Sequence, residues 1–225
     1  MVIDYTRYQP ALSAQQKLAV QLLQPLLAKR RPSRVLVMKL AGATDLPLET
    51  AGDAQVIRLS SDDTCSDASL RCRISALPFE SAAFDLVILH HLVADGSEDC
   101  LAEALRVLAS GGDIVISGLN SSGLRNRIAN RKHRVPALKL HRICKILKSR
   151  SFNVEQCLLM GFGGLSRPAA KPTWHGIGLP FADRAVLHGH HLSNIHNARI
   201  LRFKQIKAAG AAPAALDGCS REAVS

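Results

Sequence analysis

Leu77-Pro78-Phe79-Glu80-Ser81-Ala82-Ala83-Phe84-Asp85-Leu86-Val87-Ile88-Leu89-His90-His91-Leu92 is the stretch on which the fold turns. Pro78 fixes its own φ and removes a backbone donor, so it belongs to a turn rather than to an element interior. Phe84 and the unbroken run Leu86 to Leu89 then predict a strand over Phe84 to His90, apolar on both faces as strands of parallel sheets are. The next regular pattern is helical. Leu101, Ala104, Leu105 and Leu108 share one face of a helix from about Glu98 to Leu108, closed by Gly111-Gly112, because glycine adopts the left-handed conformation that ends a helix. A second apolar run, Asp113 to Ser117, completes a strand-helix-strand unit, the building block of a parallel sheet.

Working outward, strands are predicted at Val35 to Met38, Gln55 to Leu59 and Arg71 to Ile74, each short, apolar and bounded by polar turns. Ahead of them, Ser13 can cap a helix from about Ala14 to Lys29 with Leu18, Leu22, Leu23, Leu26 and Leu27 on one face. Pro25 is expected to kink or interrupt it. Downstream, Leu140, Ile143, Cys144 and Leu147 mark a helix over about Pro136 to Ser149, followed by strands at Phe152 to Leu159 and Ala198 to Ile206. The expected organisation is an N-terminal helical extension over 1–33, an α/β domain over 34–207 with an irregular insertion at about 161–197, and a disordered tail over 208–225 that is rich in Ala, Gly and Ser.

Composition fits one globular domain: 225 residues, 47% hydrophobic and 21% charged. No apolar run approaches the roughly 18 residues of a membrane helix, and Met1 to Pro10 lacks the apolar core of a secretory signal, so a cytoplasmic protein is expected. The six cysteines stand in no zinc-ribbon spacing, which predicts free thiols and no metal site. Net charge is +11, and it is unevenly placed. Between Asp113 and Glu155 there is no acid, whereas Arg125, Arg127, Arg131, Lys132, Arg134, Lys139, Arg142, Lys145, Lys148 and Arg150 are all basic. Such a segment over 125–150 is either a solvated face or an attractor of nucleic acid, an anionic substrate or an acidic protein partner.

The order and spacing of Leu77-Pro78-Phe79, Phe84-Asp85, His90-His91, Leu101, Glu103, Arg106-Val107-Leu108, Gly111-Gly112 and Ile114 to Gly118 with Asn120 resemble the type 11 methyltransferase domain of the class I S-adenosylmethionine-dependent methyltransferases. Further down, the helix to Ser149, Phe152 and a last strand at Ala198 to Phe203 with Lys204 are similar to the end of that family. The resemblance implies a doubly wound, mostly parallel seven-stranded sheet, Rossmann-like, with S-adenosylmethionine as cofactor. It implies a cofactor edge at the carboxyl ends of the strands, where the chain supplies Lys39, Leu40, Ala41, Gly42, Leu59, Ser60, Ala76, Leu77 and His90. The adenine would lie near Ala76-Leu77 and the methionine end near His90.

The chain departs from the family at the turn after strand one. Where the pattern is Val-Leu-acid-apolar-Gly-x-Gly-x-Gly, it reads Val35-Leu36-Val37-Met38-Lys39-Leu40-Ala41-Gly42-Ala43, a degenerate motif. Strand two ends on Leu59-Ser60 where the family places a ribose-binding acid, with Asp62 and Asp63 following. Two functions stand side by side. One is a methyltransferase using a divergent turn and acting on a small-molecule or lipid-like acceptor, with His90 or His91 as candidate catalytic residues. The other is a catalytically inactive relative that binds a partner or nucleic acid through 125–150. His175, His188, His190, His191 and His196 are read as a polar loop, Trp174 as a buried structural residue, and Pro180 to Arg184 as part of a substrate lid.

Overall fold

The structure is a computed structural model, and it describes residues 9–40, 43, 45–50, 53–60, 73–93, 98–123, 137–161, 166–169 and 182–192. Its elements are α1 (Gln9–Arg30), β1 (Arg34–Lys39), β2 (Gln55–Ser60), β3 (Phe84–His90), α2 (Glu98–Val107), β4 (Leu108–Asn120), β5 (Ala137–Leu138), α3 (Leu140–Ser149), β6 (Phe152–Gly161), β7 (Ser166–Ala169) and β8 (Ala182–His191). The strands form one sheet in the order β2-β1-β3-β4-β8-β6-β7, with β5 beside β4. β1 pairs parallel with both β2 and β3, β3 with β4, and β4 with β5, while β8 lies antiparallel between β4 and β6. The chain moves from β1 to one neighbour and then crosses to the other, so strand order reverses at the β1/β3 boundary. That is where doubly wound sheets bind ligands.

Alternation of side chains divides the core between the two faces of the sheet. Val35, Val37, Leu86, Ile88, Val115 and Val186 face α1 and bury Leu18, Leu22, Leu23 and Leu27. Leu36, Met38, Val87, Leu89, Ile114 and Ile116 face the other way, onto Leu101, Ala104 and Val107 of α2 and Ile143, Cys144 and Leu147 of α3. Cys100, Cys144 and Cys157 are free and buried, and burial first of all pushes their thiols up to about 12, 12 and 11, so they pack as small apolar groups.

Several boundaries differ from the expectations. α1 begins at Gln9 rather than Ala14, with Pro10 in the first turn, where a missing N–H costs nothing, and it runs on through Pro25 without interruption. α2 stops at Val107, and Leu108 passes directly into β4. The glycine pair therefore does not close a helix. Gly111, at φ 79°, and Gly112 lie in an irregular stretch of β4 between the register pairs Phe84/Leu108 and Leu86/Asp113. A Cβ on Gly112 would stand 2.9 Å from the Asp85 and Ala109 carbonyl oxygens, so backbone proximity is what demands glycine there. α3 starts at Leu140, because Ala137–Leu138 pair with Leu119 and Asn120 as β5.

The expected strand at Arg71 to Ile74 is not formed over its described part. Arg73 and Ala76 make an isolated bridge, and the Ala76 N–H closes the turn on the Arg73 carbonyl at 2.9 Å. The polar residues Arg73 and Ser75 are exposed and leave no face to bury. The irregular insertion expected at about 161–197 contains β7 and all of β8, the strand that joins β4 to β6. Its apolar centre is only Ala185-Val186-Leu187, all three fully buried, flanked by Arg184 and His188, and so short a run hid its period. His188, His190 and His191 accordingly sit in a strand, not in a polar loop. The expected strand at Ala198 to Ile206, the tail, Trp174, His175 and His196 lie outside the described residues.

Candidate functional site

Parallel register aligns the carboxyl ends of four strands. Ser60 ends β2 opposite Lys39 of β1, Lys39 lies opposite His90 of β3, and His90 opposite Ser117 of β4. Lys39 and His90 continue the alternation of Val37 and Ile88, so they rise on the α1 side of the sheet. Beyond β1, the Leu40 N–H donates to the His90 carbonyl at 3.0 Å and the Ala43 N–H to the Leu40 carbonyl at 3.0 Å. The turn after β1 is thus fastened to the end of β3, with Ala43 buried. Ala41 and Gly42 lie outside the described residues, as do Asp62 and Asp63.

The centre of this edge is a pair of histidines. His90 is fully buried, and its Nδ1 lies 2.6 Å from the Ser117 hydroxyl. His91 takes φ 59° and donates its backbone N–H to the Ser117 carbonyl at 2.8 Å, which ends β3 abruptly and packs the second ring edge-on at 4.5 Å from the first. Burial, and then the nearby Lys39 charge, push His90 down to about 4. His91 is held well below the usual imidazole range by burial and by the His90 and Arg184 charges. Both rings are therefore neutral at physiological pH. Both Nε2 atoms are buried without a hydrogen-bond partner among the described residues, a condition that native interiors rarely leave uncorrected.

Beside the histidines, the Lys39 ammonium donates to the Asp45 carboxylate at 2.6 Å, and the Gln16 side chain of α1 donates to the Asp45 carbonyl at 2.7 Å. Asp45 is missing from the sequence-based site, because its spacing from β1 follows no motif. Of the other expected residues, Leu40 is half-buried, Leu59 is packed in the core, Ser60 is half-buried at the strand end and Ala76 is exposed.

The Leu-Pro-Phe segment has a mechanical explanation. Leu77 is buried, its N–H donates to Glu103 at 3.0 Å, and its carbonyl accepts from Arg106 at 3.0 Å. Arg106 also donates to the Phe79 carbonyl at 2.9 Å and pairs with Glu103 at 2.8 Å. Glu103 and Arg106 therefore clamp residues 77–79 along α2. Asp85 works at the opposite edge of the sheet. Burial would raise its carboxyl, but hydrogen bonds from the Ser33 hydroxyl and the Ser33 and Arg34 amides, together with the Arg34 charge, hold it below the ordinary range. Its role is to fasten the entry of β1.

Among the described residues no group of three or more His, Cys, Asp or Glu side chains could hold a metal ion, and no helix is long and apolar enough to cross a membrane. Of the basic segment, Lys139 to Arg150 are described and Arg125, Arg127, Arg131, Lys132 and Arg134 are not. Arg142 of α3 pairs with Glu98 of α2, and Lys145, Lys148 and Arg150 are exposed.

Residues 22–116 match the family model described as methyltransferase domain. No curated protein sequence matches the chain. Among solved structures, a SAM-dependent methyltransferase from Thermotoga maritima superposes with a TM-score of 0.53 at 13% identity, covering 83% of this chain and 94% of that one. The N-methyltransferase NodS from Bradyrhizobium japonicum WM9 superposes with a TM-score of 0.51 at 13% identity, covering 80% of this chain and 98% of that one. At such identities the likeness is one of fold, and the fold is that of the class I methyltransferases. Among the described residues, two buried imidazole nitrogens without a hydrogen-bond partner stand at the strand-order reversal, both rings neutral, near the Lys39 ammonium that Asp45 balances, an arrangement that would accommodate the sulfonium cofactor of the matched domain family.

Proposed function

We propose that this chain, with its class I methyltransferase fold, is a methyltransferase that binds S-adenosylmethionine across the carboxyl ends of β1, β2 and β3 and methylates a small-molecule or lipid-like acceptor. The observation that carries the reading is the pair of buried Nε2 atoms of His90 and His91, without a hydrogen-bond partner among the described residues, at the boundary where strand order reverses. In this reading Ser60 would meet the ribose, Leu77 and Ala76 the adenine side, and Lys39 with the turn that follows it the methionine side. When bound, the cofactor supplies an electrophilic methyl group. The chain's own contribution is to orient the acceptor and to keep water away.

His90 is suited to orientation. With Nδ1 hydrogen-bonded to Ser117, its Nε2 can accept from an acceptor O–H or N–H and set one lone pair in line with the methyl group. A ring at about 4 stays neutral through the physiological range and places no second cation beside the sulfonium. Activity is accordingly expected to show no inflection between pH 6 and 8 from this group, on the order of the window in which an ordinary histidine titrates.

Calorimetry with S-adenosylmethionine and S-adenosylhomocysteine tests the reading. Saturable heat with both ligands is the expected result. Absence of heat, together with an unchanged melting temperature at millimolar ligand, overturns it.

A further inference from the structure

α3 and α2 lie on the same face of the sheet and arrange their charges differently. α2 has Glu98 and Asp99 in its first turn, Arg106 in its last and an internal Glu103–Arg106 pair, as the helix dipole and side-chain spacing favour. α3 has no acid in its first turn, and the sequence has none from Ile114 to Val154. With Leu140, Ile143, Cys144 and Leu147 packed inward, α3 exposes His141, Arg142, Lys145, Lys148 and Ser149, and exposed Arg150 follows at the C-cap. Arg142 is drawn to Glu98, whereas Lys145, Lys148 and Arg150 make no ion pair among the described residues. The helix dipole accounts for cations at Lys148 and Arg150, but not for Lys145, which repels Lys148 at a spacing of one turn with no acid to offset it. The patch also lies far from the carboxyl edge. Ser151 accepts from the Leu192 N–H at 3.0 Å and Phe152 pairs with His191, at the end of the sheet where Asp113 of β4 meets His190.

The chemistry of this face selects among polyanions. Leu192 is the one large apolar side chain exposed among the described residues, so the face lacks the apolar stripe of a membrane-surface helix and the apolar centre of a protein interface. It carries no Phe, Tyr or Trp on which the bases of a single strand could stack. Its one hydroxyl, on Ser149, donates to the Ile146 carbonyl at 2.8 Å rather than outward, where it could read the 2′-hydroxyls on which RNA-duplex recognition leans. What remains is a set of point charges, which suits the phosphates of a DNA double helix. We propose that the exposed face of α3, with Arg150, is a docking surface for double-stranded DNA, held through its backbone without regard to base sequence. Arg125, Arg127, Arg131, Lys132 and Arg134 precede it in the same acid-free run. The surface is independent of the methyl-donor reading above.

Fluorescence anisotropy on the full chain tests this with a short labelled DNA duplex, one of its separated strands and an RNA duplex of the same sequence. Polyglutamate and phosphatidylserine vesicles serve as competitors. The expected result for the DNA duplex is a dissociation constant of about 1–100 µM near physiological salt, with log affinity falling linearly with log salt concentration. Combining Lys145→Gln, Lys148→Gln and Arg150→Gln is expected to weaken binding about tenfold to hundredfold and to flatten the salt slope by about three. Combining Lys17→Gln, Lys29→Gln and Arg31→Gln removes the same charge from the α1 face of the sheet, and is expected to leave affinity within about twofold. Melting temperatures of both variants check folding. Absence of DNA binding, tighter binding of the RNA duplex, the single strand, polyglutamate or vesicles, or an equal response of the two variants overturns the proposal.

Discussion

At the residue scale, the histidines at the end of β3 couple the site to stability. An unfolded His90 takes up a proton near 6.5, whereas the folded one does so only near 4. Between those values the unfolded state binds more protons, so stability falls as pH falls, by about 3 kcal/mol for this one group over the whole window. His91 shifts in the same direction. Replacing His90→Gln removes one titrating ring, and the melting temperature of the variant is expected to fall less steeply between pH 6.5 and 4 than that of the unaltered chain. Parallel curves would refute the assignment of His90 as a buried neutral imidazole. Arg106 makes a second prediction. Its guanidinium holds the Leu77 and Phe79 carbonyls and Glu103 together, so Arg106→Ala is expected to cost about 1–3 kcal/mol in denaturant unfolding. A neutral effect would show that the 77–79 segment is held by Leu77 and Phe79 packing alone.

Elements reveal what local pattern can and cannot disclose. Phe84–His90 was readable because its apolar run is long, begins at a turn and is buried on both faces. The parallel strands around it followed from the same signal. β8 was not readable, although it bonds to both β4 and β6, because Ala185-Val186-Leu187 is bracketed by residues that look like a solvated loop. What makes those residues tolerable in a strand is long-range. The Asp113 Oδ1 lies 2.8 Å from His188 Nε2 and 3.0 Å from His190 Nδ1, and its Oδ2 lies 3.4 Å from Arg30 at the end of α1, itself paired with Glu155 of β6. Those partners are 75, 77, 83 and 125 residues apart in the pairs that matter, beyond any local window. Burial would raise Asp113, but the His188 hydrogen bond and the surrounding His188, Arg30 and His190 charges hold it below 3.8. A carboxyl depressed in the folded state stabilises above its unfolded value and loses that contribution as pH falls through its folded one. Asp113→Asn is therefore expected to cost about 3 kcal/mol at neutral pH, as breaking a buried network does, and to narrow its gap from the unaltered chain below about pH 4. A gap that is constant down to pH 2 to 3, on the order of the lowest native carboxylate values, would count against this account.

The same limit governed the site. That Lys39, His90 and the end of β2 lie along the carboxyl edge could be read from strand position, since that edge of a doubly wound sheet follows from topology. The nearness of Asp45 and Ser117 could not, because a hydroxyl under a histidine ring and an acid beyond a turn become neighbours only when the strands are in register.

For the whole molecule, the uneven charge makes a separate prediction. If the segment over 125–150 engages nucleic acid, affinity falls steeply with salt, and neutralising Arg127, Arg131 and Lys132 weakens binding and flattens that dependence by about three counterions. Binding that is absent, or indifferent to salt, eliminates nucleic acid as the partner. The central claim, a methyl donor seated on the carboxyl edge of β1 and β3, is tested most directly by hydrogen exchange with and without S-adenosylhomocysteine. The Leu40 and His91 amides, bonded to the His90 and Ser117 carbonyls, lie under the proposed ligand. Slowed exchange in peptides spanning Lys39 to Ala43 and Leu89 to Val93, with none around Asp113 and His188 at the opposite edge, is the predicted result. Unchanged exchange at the carboxyl edge, or protection confined to the opposite one, would contradict it.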